Sequence, residues 1–293
     1  MLIKSPAKIN LVFQIQSRLP SGYHAVKAIL TTVPLYDELN FELAANGESQ
    51  ISGTGQVVAR PQDDLIYKAA QLLRQTTQTN LGFRCQVQKN IPSQSGLGGG
   101  SGNAAATLQA LNELWQLNLD QVILLQLAQK LGSDVPFALV GGTQYESQHG
   151  DPDQEPKFQA LPALPPAQLL LIKPLQINSQ TGPAFDQLDA LPPVQNPDYV
   201  ANFLQLINSP QQPTWDQLAS QLHNDFTRLS LTLHPLYLRL IDFLLAKNAF
   251  NATLTGSGSC LYSFFPPETN LQPLCQELNA NFADLQLFPL HFP

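Results

Sequence analysis

The chain has 293 residues, 43% of them hydrophobic, and a formal net charge of −7. That size suits about two domains, the apolar content excludes wholesale disorder, and the acidic balance excludes a general nucleic-acid binder, which needs a basic face. Three scattered cysteines (Cys85, Cys260, Cys275) form neither a disulfide framework nor metal-ligand spacing, and no apolar run reaches membrane length or makes a signal-peptide core, so a soluble, cytoplasmic protein is expected, monomer or homodimer, with neither nucleic acid nor membrane as partner.

Residues 7–16 alternate, with Ala7, Ile9, Leu11, Phe13 and Ile15 on one face and Lys8 and Asn10 together on the other. On a strand this reads first as a polar edge turned to solvent. A turn at Arg18–Gly22 leads into Gly22-Tyr23-His24, which by itself is a surface turn with a half-buried tyrosine. Leu39, Phe41 and Leu43 alternate as a second strand, and Gly47–Gly55 looks like a hairpin region. Asp63 or Asp64 is placed to cap a helix carrying Leu65, Ala69, Leu72 and Leu73. Phe83, Cys85 and Val87 predict a strand ending at Lys89.

Pro92 to Leu108 reads PSQSGLGGGSGNAAATL. Glycines at 96, 98, 99, 100 and 102 open a helix whose Ala104, Leu108, Leu111 and Trp115 share one face. A glycine loop ending at a helix N-terminus points unpaired N–H groups outward at the positive end of the dipole, which suits phosphate. It is not a Walker loop, since Ser101 stands where that motif needs its second glycine and no lysine follows. It is not a dinucleotide fingerprint either, because Ser101 or Asn103 falls at the third glycine. A flexible linker would not sit between two well-patterned elements.

A helix from Asp120 to Leu131 stops at Gly132, and Gly132-Ser133-Asp134-Val135-Pro136-Phe137 follows. Taken alone, Asp134 is a cap, with Pro136 in the first turn. Further on come a strand at Gly141–Glu146, a polar segment from His149 to Pro166, a buried strand at Leu169–Ile172 and a helix opened by Ser179, Thr181 and Phe185. Proline-rich linkers (Pro192, Pro193, Pro197, Pro210, Pro213) lead to Leu222-His223-Asn224-Asp225-Phe226. A helix after Pro235, a turn at Leu254–Cys260, a strand, a final helix and a last strand make a split β-α-β pattern.

Taken in order, P-A-K-I-N-L, the glycine loop, G-S-D-V-P, N-D-F and the Gly256–Ser259 turn resemble the GHMP kinases over nearly the whole chain. Gly22-Tyr23-His24 and GLGGGS resemble the branch that phosphorylates diphosphocytidyl-methylerythritol. The resemblance implies an α+β fold, with a ribosomal-protein-S5-like domain over 1–160 and a ferredoxin-like domain over 161–293. It implies ATP as co-substrate with Mg2+, a small-molecule acceptor, and no dedicated protein cage for the metal. Lys8 and Asp134 become the catalytic pair and are expected within a few ångströms of each other, Asp134 as base. Asn10 would orient the acceptor, and Tyr23 and Phe185 would flank the cytosine with His24 at its polar edge and Thr181 nearby. Lys89, Pro92, Ser93, Gln94, Ser95, Gly96, Leu97, Gly98, Gly99, Gly100, Ser101 and Gly102 would hold ATP.

Two departures stand out. Where the family carries a second serine, this chain has Gly102, so either a hydroxyl contact is missing and Gly102→Ser improves ATP use, or Gly102 needs φ > 0. After Glu146, SQHGDPDQEP replaces the family's glycine–glutamate element. Other readings are a homoserine or mevalonate type of GHMP kinase, or a nucleotide-binding regulator without catalysis.

Overall fold

The computed structural model describes residues 1–19, 22–54, 61–149, 155, 157–192, 194 and 196–293. The segment replacing the glycine–glutamate element falls largely outside these residues, as do Pro193 and two residues of the Arg18–Gly22 turn.

The alternating first segment is one long strand, β1 (Leu2–Arg18), antiparallel to β2 (His24–Ala44). β2 is long enough to serve two more neighbours. Its second half pairs with β4 (Gly82–Gln88) and its first half with β5 (Thr143–His149). The expected hairpin near Gly47 does not form. β3 (Ser49–Thr54) runs parallel to β4, which lies between it and β2. The strand order is β3-β4-β2-β1, with β6 (Phe158–Ala160) beyond β5.

Three helices build a core on this sheet. α1 (Leu65–Thr77) starts where Asp64 accepts from the Ile66 N–H at 2.8 Å. α2 (Gly99–Leu114) follows the glycine loop, and α3 (Gln121–Leu131) is capped by Asp120 and stopped by Gly132. Leu73, Phe41, Phe83, Leu108 and Leu127 meet in this core. The short α4 (Val135–Val140) follows Asp134.

The second sheet is antiparallel, in the order β11-β7-β10-β9: β7 (Ala167–Pro174), β9 (Asn251–Leu254), β10 (Leu261–Phe265) and β11 (Leu285–Phe292). α5 (Thr181–Asp189) follows β7. The stretch read as proline-rich linkers contains two helices, α6 (Tyr199–Ile207) and α7 (Trp215–Ala219). They are short and lie between prolines, yet Val200, Phe203, Ile207, Trp215 and Leu218 are all buried. Next come β8 (His223–Asn224), α8 (Asp225–Leu233), α9 (Pro235–Leu245) and α10 (Leu271–Asn281).

β1 is where the two sheets meet. Ala7, Ile9 and Leu11 share a core with Leu169 and Leu171 of β7 and Phe264 of β10. β8 adds itself to the other edge of β1 in parallel, Val12 opposite His223. The even face of β1 is also buried, because the glycine loop and the Thr255–Gly256 turn close over Lys8 and Asn10. It is not a solvent edge.

Candidate active site

Lys8 Nζ lies 3.3 Å from Asp134 Oδ2 and donates to Asn10 Oδ1 at 2.8 Å. Asp134 stands at the N-cap position of α4 but makes no capping hydrogen bond. Its carboxylate faces the lysine instead, so the capping position serves to aim it. Both residues line one cleft of about 1440 Å³.

One wall of the cleft is the loop into α2: Pro92, Ser93, Gln94, Ser95, Gly96, Gly98, Gly99, Gly100 and Ser101. The first intrahelical donor is Gly102, whose N–H bonds the Gly98 carbonyl at 2.8 Å. The N–H groups of Gly99, Gly100 and Ser101 therefore precede the ladder, at the positive end of a sixteen-residue helix. Two glycines are required by close approach. A Cβ on Gly96 would collide with the Thr255 carbonyl, and one on Gly98 would lie 2.9 Å from Lys8 Cγ; both have positive φ, 77° and 71°.

Another wall carries Tyr23 and His24 from the β1–β2 corner, and Thr181 and Phe185 from α5. Tyr23 is 57% exposed. His24 is held from two sides. Its ring stacks on Phe185 (centroids 4.7 Å apart, 11° between planes), because Asp189 of α5 holds Nε2 at 2.9 Å. Phe185 also meets Phe226 edge-on at 4.9 Å. Tyr23 and Phe185 share the cleft, but one face of Phe185 is already covered.

Four of the residues named from the sequence make contacts inside the protein. Asn10 is fully buried and off the cleft wall. Its Oδ1 accepts from Lys8 Nζ, from the Gly256 N–H at 2.9 Å and from the Thr255 hydroxyl at 3.2 Å. It thus ties Lys8 to the Gly256 turn. Lys89 forms an ion pair with Asp37, a buried carboxylate that also accepts from the Asn90 and Ile91 N–H groups at 2.8 and 2.9 Å. Lys89 lines a smaller pocket of about 260 Å³ behind the loop, which shares Leu65, Ser93 and Gly100 with the main cleft. Leu97 is buried in the core, and only its carbonyl takes part, accepting from the Lys8 N–H at 2.9 Å.

Gly102 is the fourth. It is buried inside the first turn of α2, turned toward β1, and its φ is not positive. A Cβ there would collide with Ser5 Oγ and lie 3.2 Å from the Pro6 carbonyl. Neither a missing phosphate contact nor a left-handed backbone explains this glycine; it is the spacing between helix and strand.

The structure gives contacts to residues that the sequence reading named only within a motif or at the end of an element. Asn224 caps α8 with Oδ1 and donates through Nδ2 to the Leu254 and Gly256 carbonyls at 2.9 and 2.8 Å. Ser179 donates to the Ser257 carbonyl at 2.8 Å. Both fix the turn that closes the cleft at Gly256–Gly258. The N-D-F and glycine-turn motifs were the available signal. Glu146, buried at the cleft, had none.

Backbone amides and a cation for phosphates, next to a carboxylate that can take a hydroxyl proton, make a phosphoryl-transfer site for a small alcohol. Models of the GHMP kinase N-terminal and C-terminal domains match residues 64–142 and 203–284, and the chain belongs to the GHMP kinase family. It is a small-molecule kinase with ATP as co-substrate. It is similar to the 4-diphosphocytidyl-2-C-methyl-D-erythritol kinase of Exiguobacterium sibiricum, 33% identical and covering 96% of this chain and 94% of that one. Among solved structures, a 4-(cytidine 5'-diphospho)-2C-methyl-D-erythritol kinase matches at 25% identity with a TM-score of 0.72, covering 100% of both chains. A homoserine kinase from Cytophaga hutchinsonii shares the fold at 17% identity with a TM-score of 0.74, covering 99% of this chain and 95% of that one.

Proposed function

We propose that this kinase moves the γ-phosphoryl of ATP to the 2-hydroxyl of 4-diphosphocytidyl-2-C-methyl-D-erythritol, in the cytoplasm, as a step toward isoprenoid precursors. The observation that carries the reading is the single cleft in which the Lys8–Asp134 pair meets both the glycine loop and the Tyr23–His24–Phe185 aromatic wall. A homoserine or mevalonate acceptor is small and has no ring for that wall. The relatives' shared name points the same way, whereas fold likeness alone extends equally to a homoserine kinase. We place the domain division near residue 160, a reading supported by the second sheet beginning at β7 and by the two family matches falling on either side.

In this reading the acceptor oxygen attacks the γ-phosphorus while its proton passes to Asp134. The bond from that phosphorus to the β–γ bridging oxygen breaks, and its electron pair leaves with ADP. Lys8, held by Asn10, supplies positive charge where negative charge gathers on the moving group. The amides of Gly99 to Ser101 hold the phosphates, and the base has room in the pocket beside Leu65 and Lys89. Magnesium, when bound, neutralises triphosphate charge. The hard oxygen donors that Ser101 and Asp134 bring to the cleft wall suit that ion, which keeps much of its shell as phosphate and water.

The test is ADP release by the purified protein with ATP and, in turn, the diphosphocytidyl substrate, homoserine and mevalonate. Turnover is expected with the first alone. Faster turnover with either of the others would replace this reading, and failure with all three would favour a regulator.

A further inference from the structure

Lys173, the penultimate residue of β7, is 3% exposed. Its ammonium donates to the Pro174 carbonyl at 2.9 Å, to the Ile177 carbonyl, and to Asn178 Oδ1 at 3.3 Å. Pro174 and Ile177 are the two ends of a turn in which the Ile177 N–H reaches the Pro174 carbonyl at 3.4 Å. A lysine has three donors, and here they meet three oxygens, none of which carries a charge. Burying an ammonium without a counter-ion is costly, and desolvation holds its pKa below the ordinary lysine value. An unbranched apolar side chain would fill the same space without that cost. What the ammonium adds is direction, because it fixes where Pro174, Ile177 and Asn178 point.

The next residue is Ser179. Its hydroxyl donates to the Ser257 carbonyl at 2.8 Å and lies 3.1 Å from Ser257 Oγ. Ser257 follows Gly256, whose N–H bonds Asn10 Oδ1, the atom that also receives Lys8 Nζ. Lys173 itself does not line the cleft. We propose that Lys173 is a positioning residue for phosphoryl transfer: its ammonium sets the bend at 174–178, so that Ser179 holds the Gly256 turn, and with it Asn10 and Lys8, in place. The kinetic half rests on the acceptor reading above; the structural half does not.

Hydrogen exchange read by mass spectrometry needs no ligand. In Lys173→Met the amides of 174–179 and of the turn at 255–260 are expected to exchange about tenfold faster or more, with α9 and α10 unchanged. Equal loosening of those helices would make Lys173 a packing residue and overturn the proposal. Should Lys173→Met fail to fold, Asn178→Ala removes one acceptor at an exposed site and is expected to loosen the same two segments to a lesser degree; no change there would overturn it too. The second measurement is steady-state kinetics with ATP and the diphosphocytidyl substrate. A small displacement of a reacting group is costly, so kcat of Lys173→Met is expected to fall about ten- to a hundredfold, with KM for the acceptor within about twofold. Ser179→Ala is expected to lower kcat as well, and the double variant no further than the worse single one, as for two residues acting through one contact. Losses that multiply, or a KM rise at normal kcat, would contradict the role given to Lys173. No turnover by the unmutated protein would sink the acceptor reading instead, and the exchange pattern would still decide whether Lys173 holds the turn.

Discussion

Asn10 joins Lys8 to Gly256: its Oδ1 accepts from Lys8 Nζ at 2.8 Å and, across 246 residues of chain, from the Gly256 N–H at 2.9 Å. Lys8 and the turn that closes the cleft are therefore set by one buried carboxamide. Lys8 is left with its aliphatic stem against Gly98 and its ammonium between Asn10 and Asp134.

Asn10→Ala is expected to damage both ends at once. It leaves a buried amide N–H unpaired, which costs about 1–3 kcal/mol, and frees the ammonium to swing. We expect a drop in kcat of ten- to a hundredfold, about 1.4–2.7 kcal/mol of barrier, with a lowered melting temperature. Steady-state kinetics and thermal melts check this. If KM for the acceptor rises while kcat and melting stay put, Asn10 contacts the acceptor after all.

Gly102→Ser is expected to destabilise and not to improve ATP use. Overpacking between α2 and β1 costs about 1–3 kcal/mol. That corresponds to roughly 2–4 °C of melting temperature per kcal/mol in a chain of this size. Melting curves and kcat/KM for ATP decide it. A threefold gain in ATP efficiency would restore the missing-hydroxyl explanation.

Tyr23 is the exposed ring of the aromatic wall. Stacking of a base on an aromatic is worth about 1–3 kcal/mol. Tyr23→Ala is therefore expected to raise KM for the cytidylyl substrate about ten- to a hundredfold, with KM for ATP unchanged. Equal effects on both substrates would place this ring outside the base site.

Burial pushes the thiols of Cys85 and Cys260 up to about 12; repulsion from Asp64 adds to the rise at Cys85. An unfolded thiol titrates near 8.5, so the folded state binds protons that the unfolded state releases above that pH. The stability these two neutral thiols contribute is full below about pH 8.5 and is lost as pH climbs toward 12. Urea midpoints are expected to fall between pH 8 and pH 10, and less so in Cys85→Ala. At pH 8, Ellman's reagent is expected to label neither thiol until denaturant is added. Prompt labelling of both in the native protein would contradict their burial.

Local motifs carried the reading a long way because they dictate local backbone. Gly96 and Gly98 need positive φ, and both the cap of α1 and the stop of α3 follow from single residues. What stayed hidden was partnership across the chain. Nothing near Lys89 announces Asp37, and nothing near Asn10 announces Gly256, so a lysine that looks free is ion-paired and an asparagine that looks free is buried. Gly102 could have been read correctly by counting: its N–H reaches back to Gly98, which places it one turn into the helix and away from the cleft. The same holds for α6, whose Val200, Phe203 and Ile207 keep helical spacing between prolines.

In the proposed reaction Asp134, paired with Lys8 at 3.3 Å, takes the acceptor's proton. Its most direct test is Asp134→Asn, with the rate of phosphoryl transfer measured in a single turnover and ATP affinity measured separately. Asparagine keeps the shape but cannot accept the proton. General-base roles are worth about 10²–10⁴ in rate, so the transfer rate is expected to fall by that factor while ATP binds within about threefold of normal. Near-normal transfer by the folded Asp134→Asn protein would contradict the account.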